Sequence, residues 1–112
     1  MEQSDRRIAP RIEPHEGTIL LKCRRGVSGL GSDVATTLMD ISETGARLVI
    51  VQELATGQEV EVEFETQGVL HVIRRISNVR WQRKLADGRY CIGAEFQKRL
   101  GCMEWRHILA LR

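Results

Sequence analysis

The run Glu59-Val60-Glu61-Val62-Glu63-Phe64-Glu65 alternates a carboxylate with an apolar residue at every step. A strand turns successive side chains to opposite faces, so this period of two predicts Val60, Val62 and Phe64 on a buried face and an acidic row on the other. One strand cannot hide its apolar face alone. The chain must supply partners to pack over it, and that requirement shapes the reading of everything else.

Further short segments of strand character are spaced along the chain. Ile19, Leu21 and Cys23 alternate within Thr18 to Arg24, Val34 to Met39 and Ala46 to Val51 are rich in β-branched residues, and Tyr90, Ile92, Ala94 and Phe96 alternate within Arg89 to Phe96. The long segment Val69 to Lys84 changes apolar phase, with Leu70, Val72 and Ile76 on one parity and Val79 and Trp81 on the other. A bulge or bend near Ser77 reconciles the two. Gly26 to Asp33, Leu54 to Gln58 and Thr66-Gln67-Gly68 read as connections, and Leu85-Ala86-Asp87-Gly88 as a hairpin turn. From Lys98 to Arg112 the period becomes helical, with Cys102, Trp105, Ile108 and Leu109 on one face and Gly101 weakening the first turn. Six strands with short turns favour closure over an open sheet with two bare edges. The expected fold is all-β: a six-stranded antiparallel β-barrel with a C-terminal α-helix.

At 112 residues, 42% apolar and 29% charged, the chain fits one small soluble domain. Residues 1–16 show no apolar periodicity, and Pro10 and Pro14 exclude a regular helix, so they read as a flexible N-terminal arm outside the core, followed by a single domain over 17–112. Met1 to Arg7 lacks the apolar stretch of a signal peptide, and no later run reaches the roughly twenty apolar residues that span a bilayer. Cys23, Cys91 and Cys102 are odd in number and lack metal-ligand spacing, which points to reduced thiols in the cytoplasm. His15, His71 and His107 are scattered, so neither a metal nor a cofactor is expected. Trp81 and Trp105 read as core. The glycine-rich Gly26-Val27-Ser28-Gly29-Leu30-Gly31 lacks the Lys-Ser/Thr of a nucleotide loop and precedes a strand. Ser42 has no nucleophile-elbow context, Cys91 has no visible base, and no catalytic residue is expected.

The formal charge of +2 conceals clusters. Arg6, Arg7 and Arg11 crowd the arm, and Arg74, Arg75, Arg80, Arg83 and Lys84 the long strand. Near-neutral balance and few aromatics argue against a nucleic-acid polymer as partner, and a compact anionic ligand suits the numbers better. Between the second and third strands stands Asp40-Ile41-Ser42-Glu43-Thr44-Gly45. Asp, Ser and Gly all serve turns, so this stretch is by itself a connection.

Read together, Arg7-Ile8-Ala9-Pro10-Arg11 and Asp40-Ile41-Ser42-Glu43-Thr44-Gly45 resemble the two-part signature of the PilZ family, Arg-x-x-x-Arg followed by Asp/Asn-x-Ser-x-x-Gly. Val79-Arg80-Trp81 and Tyr90 to Phe96 look like that family's final hairpin, so the resemblance covers nearly the whole chain. It implies a six-stranded barrel that binds cyclic di-GMP and acts as a receptor rather than an enzyme. The chemistry of the residues agrees. An arginine fork donates two bonds to guanine O6 and N7 or to phosphate, and its flat face stacks on a base, which makes Arg7 and Arg11 candidate clamps. Asp40 could accept from the N–H edge of guanine, Ser42 could add a hydroxyl bond, and Gly45 and Gly93 allow close approach. A basic residue just before the first motif arginine, here Arg6, implies by the same resemblance an intercalated ligand dimer. Arg6 is either a third contact or a solvent-exposed tail charge. Binding would order the arm and relay the signal to an unidentified protein partner. The alternative is a PilZ-type adaptor with little or no nucleotide binding.

Overall fold

The computed structural model describes residues 11–14, 19–26, 31–66 and 71–110. Arg6 and Arg7 lie outside the described residues, as do 27–30 of the glycine-rich loop. The strands are β1 (Ile19–Arg25), β2 (Ala35–Ile41), β3 (Gly45–Ile50), β4 (Glu59–Thr66), β5 (His71–Lys84) and β6 (Tyr90–Phe96), followed by the helix α1 (Cys102–Leu109). They form one antiparallel sheet in the order β1-β4-β5-β6-β3-β2. The sheet curls into a nearly closed barrel. Its two ends meet where Val34 N–H donates to Cys23 O at 2.9 Å and the Asp33 carboxylate accepts from the N–H groups of Cys23 and Ala35 at 2.9 and 3.0 Å. Asp33 thereby satisfies strand-edge donors that water would otherwise have to serve.

The alternating strand behaves as its period demands. Val60, Val62 and Phe64 are buried, and they share one core with Val79 of the neighbouring β5 and with Leu48, Ile50 and Ile92 of β3 and β6. Phe64 and Phe96 pack edge to face, ring centroids 5.9 Å apart. Trp105 and Ile108 of α1, with Leu100 before it, join the same core. Asp87-Gly88 makes the expected turn: Gly88 adopts φ 92°, and Leu85 O accepts its N–H at 3.0 Å.

Several expectations are corrected. The period of two places Glu63 on the acidic face opposite the buried one, yet it is only 6% exposed, because Arg24 and Arg74 close over it at 3.2 and 3.1 Å. Burial opposes its ionisation, but the hydrogen bonds and charges of Arg74 and Arg24 outweigh that and hold its pKa below the ordinary value. In β5 the inward residues are Ile73, Ser77 and Val79, while Val72 is 45% exposed. Register decides this: Ile73 lies opposite Phe64 and Ser77 opposite Val60, and directly opposed residues share a face. The register shift falls between Val79 and Trp81 rather than near Ser77. Beyond it Trp81 turns outward, 39% exposed, and is not core. The helix begins at Cys102, four residues later than its period suggested, because Lys98 and Arg99 give their carbonyls to Arg75. Gly101 is therefore the N-cap and does not weaken the first turn, and Glu104 Oε1 accepts its N–H at 2.7 Å. Ile12 belongs to the core although the first sixteen residues lack periodicity. It is buried and pairs with Ile41, a tertiary contact that no local pattern announces.

Candidate functional site

Asp40 lies within β2 rather than in the connection that follows, directly opposite Arg47 of β3. A register shift between Leu38 and Asp40 sets its direction. The side chain is 3% exposed, and both oxygens are occupied. Oδ1 accepts from Arg11 Nη1 at 2.8 Å; Oδ2 accepts from Arg47 Nε at 2.8 Å and also from Arg47 Nη2. The carboxylate is covered, but the side chains of Arg11 and Arg47 remain 46% and 42% exposed. The hydrogen bonds to Asp40 and its charge raise the pKa of Arg47 above its ordinary value. The result is a buried anion that fixes two guanidinium groups at the surface. Each has N–H donors beyond those given to Asp40.

The turn that follows explains two of the other motif residues. Ser42 is buried, donates its N–H to Gly45 O at 2.8 Å and accepts Thr44 N–H on Oγ at 3.2 Å. Its hydroxyl also lies 3.3 Å from Gly45 O. Ser42 is thus committed to holding the turn. Gly45 faces β6 so closely that a Cβ would stand 2.5 Å from Ala94 O, and strand packing alone demands glycine there.

Gly93 lies one strand further along the same row. Cross-strand partners run Asp40, Arg47, Gly93, Trp81 over β2, β3, β6 and β5, a span of roughly 14 Å at the usual strand spacing. The space that Gly93 leaves is filled by the indole: a Cβ would stand 2.2 Å from Trp81 Nε1. Arg83 stands over the indole, its guanidinium carbon 5.9 Å from the ring centroid. The structure therefore brings Arg11, Asp40, Ser42, Gly45 and Gly93 into one region on the outer face of the sheet.

Sequence reasoning missed Arg47 and Trp81. The hairpin register could have found Arg47, since a tight turn centred on Glu43 and Thr44 sets it across from Asp40. Trp81 required the bulge to be placed correctly.

Cys91 sits beside this row, buried, with its Sγ 3.4 Å from Met39 Sδ. Burial, reinforced by Asp33, pushes the Cys23 thiol up to about 12. Among the described residues no group of three or more His, Cys, Asp and Glu side chains could hold a metal ion, and no helix is long and apolar enough to cross a membrane.

The arginine pair on a buried acid, followed by a Ser-locked turn and a glycine that only close packing explains, is joined by one decisive observation: the family model for the PilZ domain matches residues 5–109. The chain belongs to the PilZ family. No curated protein gives a significant match to the chain. PilZ domains are cyclic di-GMP-binding and adaptor domains, and Asp40, Ser42 and Gly45 stand at the positions of the second half of the family signature. Arg11 is the second arginine of that signature, and it reaches Asp40 of the other half directly.

Proposed function

We propose that this PilZ domain is a cyclic di-GMP receptor that relays occupancy to a protein partner in the cytoplasm. The observation that carries the reading is the pairing of Arg11 and Arg47 on the buried Asp40. Two guanidinium groups on one carboxylate suit a ligand with two phosphates and two guanine edges.

The pairing also supplies a mechanism. A carboxylate has about four acceptor sites, and three N–H groups already use three of them, which leaves too few for the two N–H groups of a guanine edge. Guanine can reach Asp40 only if Arg11 gives up Oδ1. Arg11 then turns its fork to the ligand, joined by Arg7 and, for an intercalated pair of ligands, by Arg6. Arg47 stays on Oδ2 and holds the acid in place. Ser42 acts by keeping the turn rigid, and Gly45 by letting that end of β3 pack closely against β6. Binding thus trades an internal ion pair for an intermolecular one and draws the arm across the sheet rim.

The same satisfied pairing favours a second reading. A carboxylate whose oxygens are both occupied needs no ligand, as in a PilZ-type adaptor that works by protein contact with little nucleotide affinity. Titration calorimetry separates the two. Saturable heat with cyclic di-GMP at or below tens of micromolar, about −6 to −8 kcal/mol, supports the receptor. No heat in that range leaves the adaptor.

A further inference from the structure

The β2–β3 turn is gripped from two sides by segments far apart in sequence. Ile12 N–H donates to Ile41 O at 2.9 Å, and Ile41 N–H donates to Ile12 O at 3.0 Å. Two residues on, Glu43 O accepts Leu100 N–H at 2.8 Å, and Glu43 Oε1 accepts from Arg99 Nη2 at 3.1 Å. Ser42 stands between them, its N–H and hydroxyl closing the turn onto Gly45. Ile12, Ile41 and Leu100 belong to the same core as Trp105 and Ile108. Arg75 carries the grip into the helix: its Nε donates to Lys98 O at 2.9 Å, and its guanidinium also pairs with Glu104 in the first turn of α1.

Resting on the receptor reading, we propose that this turn couples the arginine arm to the C-terminal helix. Docking of Ile12 on Ile41 and of Leu100 on Glu43 depend on one another, so occupancy at Arg11 and Asp40 is reported at the segment leading into α1. Arg11 immediately precedes Ile12. Any contact that moves Arg11 off Asp40 loads the Ile12–Ile41 pair. The turn is internally bonded, so displacement of Ile41 carries the Glu43 carbonyl with it, and a shift of about 1 Å takes a 2.8 Å hydrogen bond outside good geometry. The exposed Arg99–Glu43 ion pair contributes little to this link. The Leu100 amide matters more, because Leu100 is buried and its N–H loses its partner if Glu43 withdraws. Such coupling is reciprocal: loosening either contact loosens the other.

Amide hydrogen exchange of the full chain, read by NMR at Leu100 and at Ile92 of β6, tests the coupling with and without ligand. In Ile12→Ala, exchange at Leu100 is expected to accelerate at least tenfold more than at Ile92. In Val60→Ala, which lowers stability away from the turn, the two amides should accelerate together. If Leu100 merely keeps step with Ile92 in Ile12→Ala, the coupling is wrong. In the wild type, cyclic di-GMP that binds by calorimetry should change Leu100 exchange at least threefold. Binding with no change at Leu100 also overturns the proposal. Absence of calorimetric binding sinks the receptor reading instead, and the Ile12→Ala comparison still decides the coupling.

Discussion

Asp40 and Arg47 face each other across the β2–β3 hairpin, with Arg47 Nε 2.8 Å from Asp40 Oδ2, and Arg11 reaches the other oxygen from outside the sheet. The acid therefore organises a cationic surface although almost none of it is exposed.

Removing either cation should weaken ligand binding by different routes. Arg11→Ala loses a direct charge-assisted contact, and Arg47→Ala releases the acid from its fixed position. Each is expected to cost roughly 1.5–3 kcal/mol, an approximately ten- to hundredfold loss of affinity by calorimetry. Equal affinity in wild type and both variants would remove this cluster from the site.

The buried Glu63 gives a pH signature. Its folded pKa lies below the ordinary value of 4.5, so its ion pairs with Arg24 and Arg74 add stability that is present above about pH 4.5 and is lost as pH falls through the folded value. Urea midpoints of wild type and Glu63→Gln should differ at pH 7 and draw together as pH falls below about 4.5. A gap that stays constant over that range would contradict the assignment.

Two glycines answer to different neighbours, and alanine should separate them. Gly45→Ala drives a Cβ into the backbone of Ala94, which cannot swing aside, and is expected to destabilise by about 1–3 kcal/mol in urea melts. Gly93→Ala meets the Trp81 side chain first. It should displace the indole and change its fluorescence in a Trp105→Phe background, where Trp81 is the remaining tryptophan. An unchanged spectrum would place the indole elsewhere.

Thiol chemistry should follow burial. Cys102 is exposed, whereas Cys23 and Cys91 are buried and the Cys23 thiol is raised to about 12. With iodoacetamide at pH 8, mass spectrometry is expected to find Cys102 modified within minutes and the other two only on unfolding. Early labelling of Cys23 would argue that the β1–β2 seam opens.

Most of the fold could be read along the chain because its signals are local. The alternation in Glu59 to Glu65, the Asp87-Gly88 turn and the helical period around Trp105 each depend on neighbours within a few residues. The signature residues Arg11, Asp40, Ser42 and Gly45 were legible too, as was membership of a family whose match spans residues 5–109. Their roles were not all legible. Ser42 and Gly45 look alike in sequence, as polar and small turn residues beside an acid. Only the hydroxyl's bonds within the turn and the approach of Ala94 show what each one does.

An outward or inward choice that depends on a partner strand is not legible along one strand. Val72 and Ile73 are equally apolar, and β5 could have buried either; the pairing of Ile73 with Phe64 settled it. Glu63 looks like its neighbours Glu61 and Glu65 until two arginines from flanking strands cover it.

The amino-acid order alone determined that this chain makes strands of a given period, turns at given places, and an arginine arm that precedes an acid-and-glycine turn. Tertiary structure decided that Ile12 leaves the arm for the core, that Arg47 pairs with Asp40 and that Trp81 fills the space above Gly93. Each of these rests on register across strands. Register is a property of pairs, and a periodicity read along one strand contains no information about which residue of another will lie opposite.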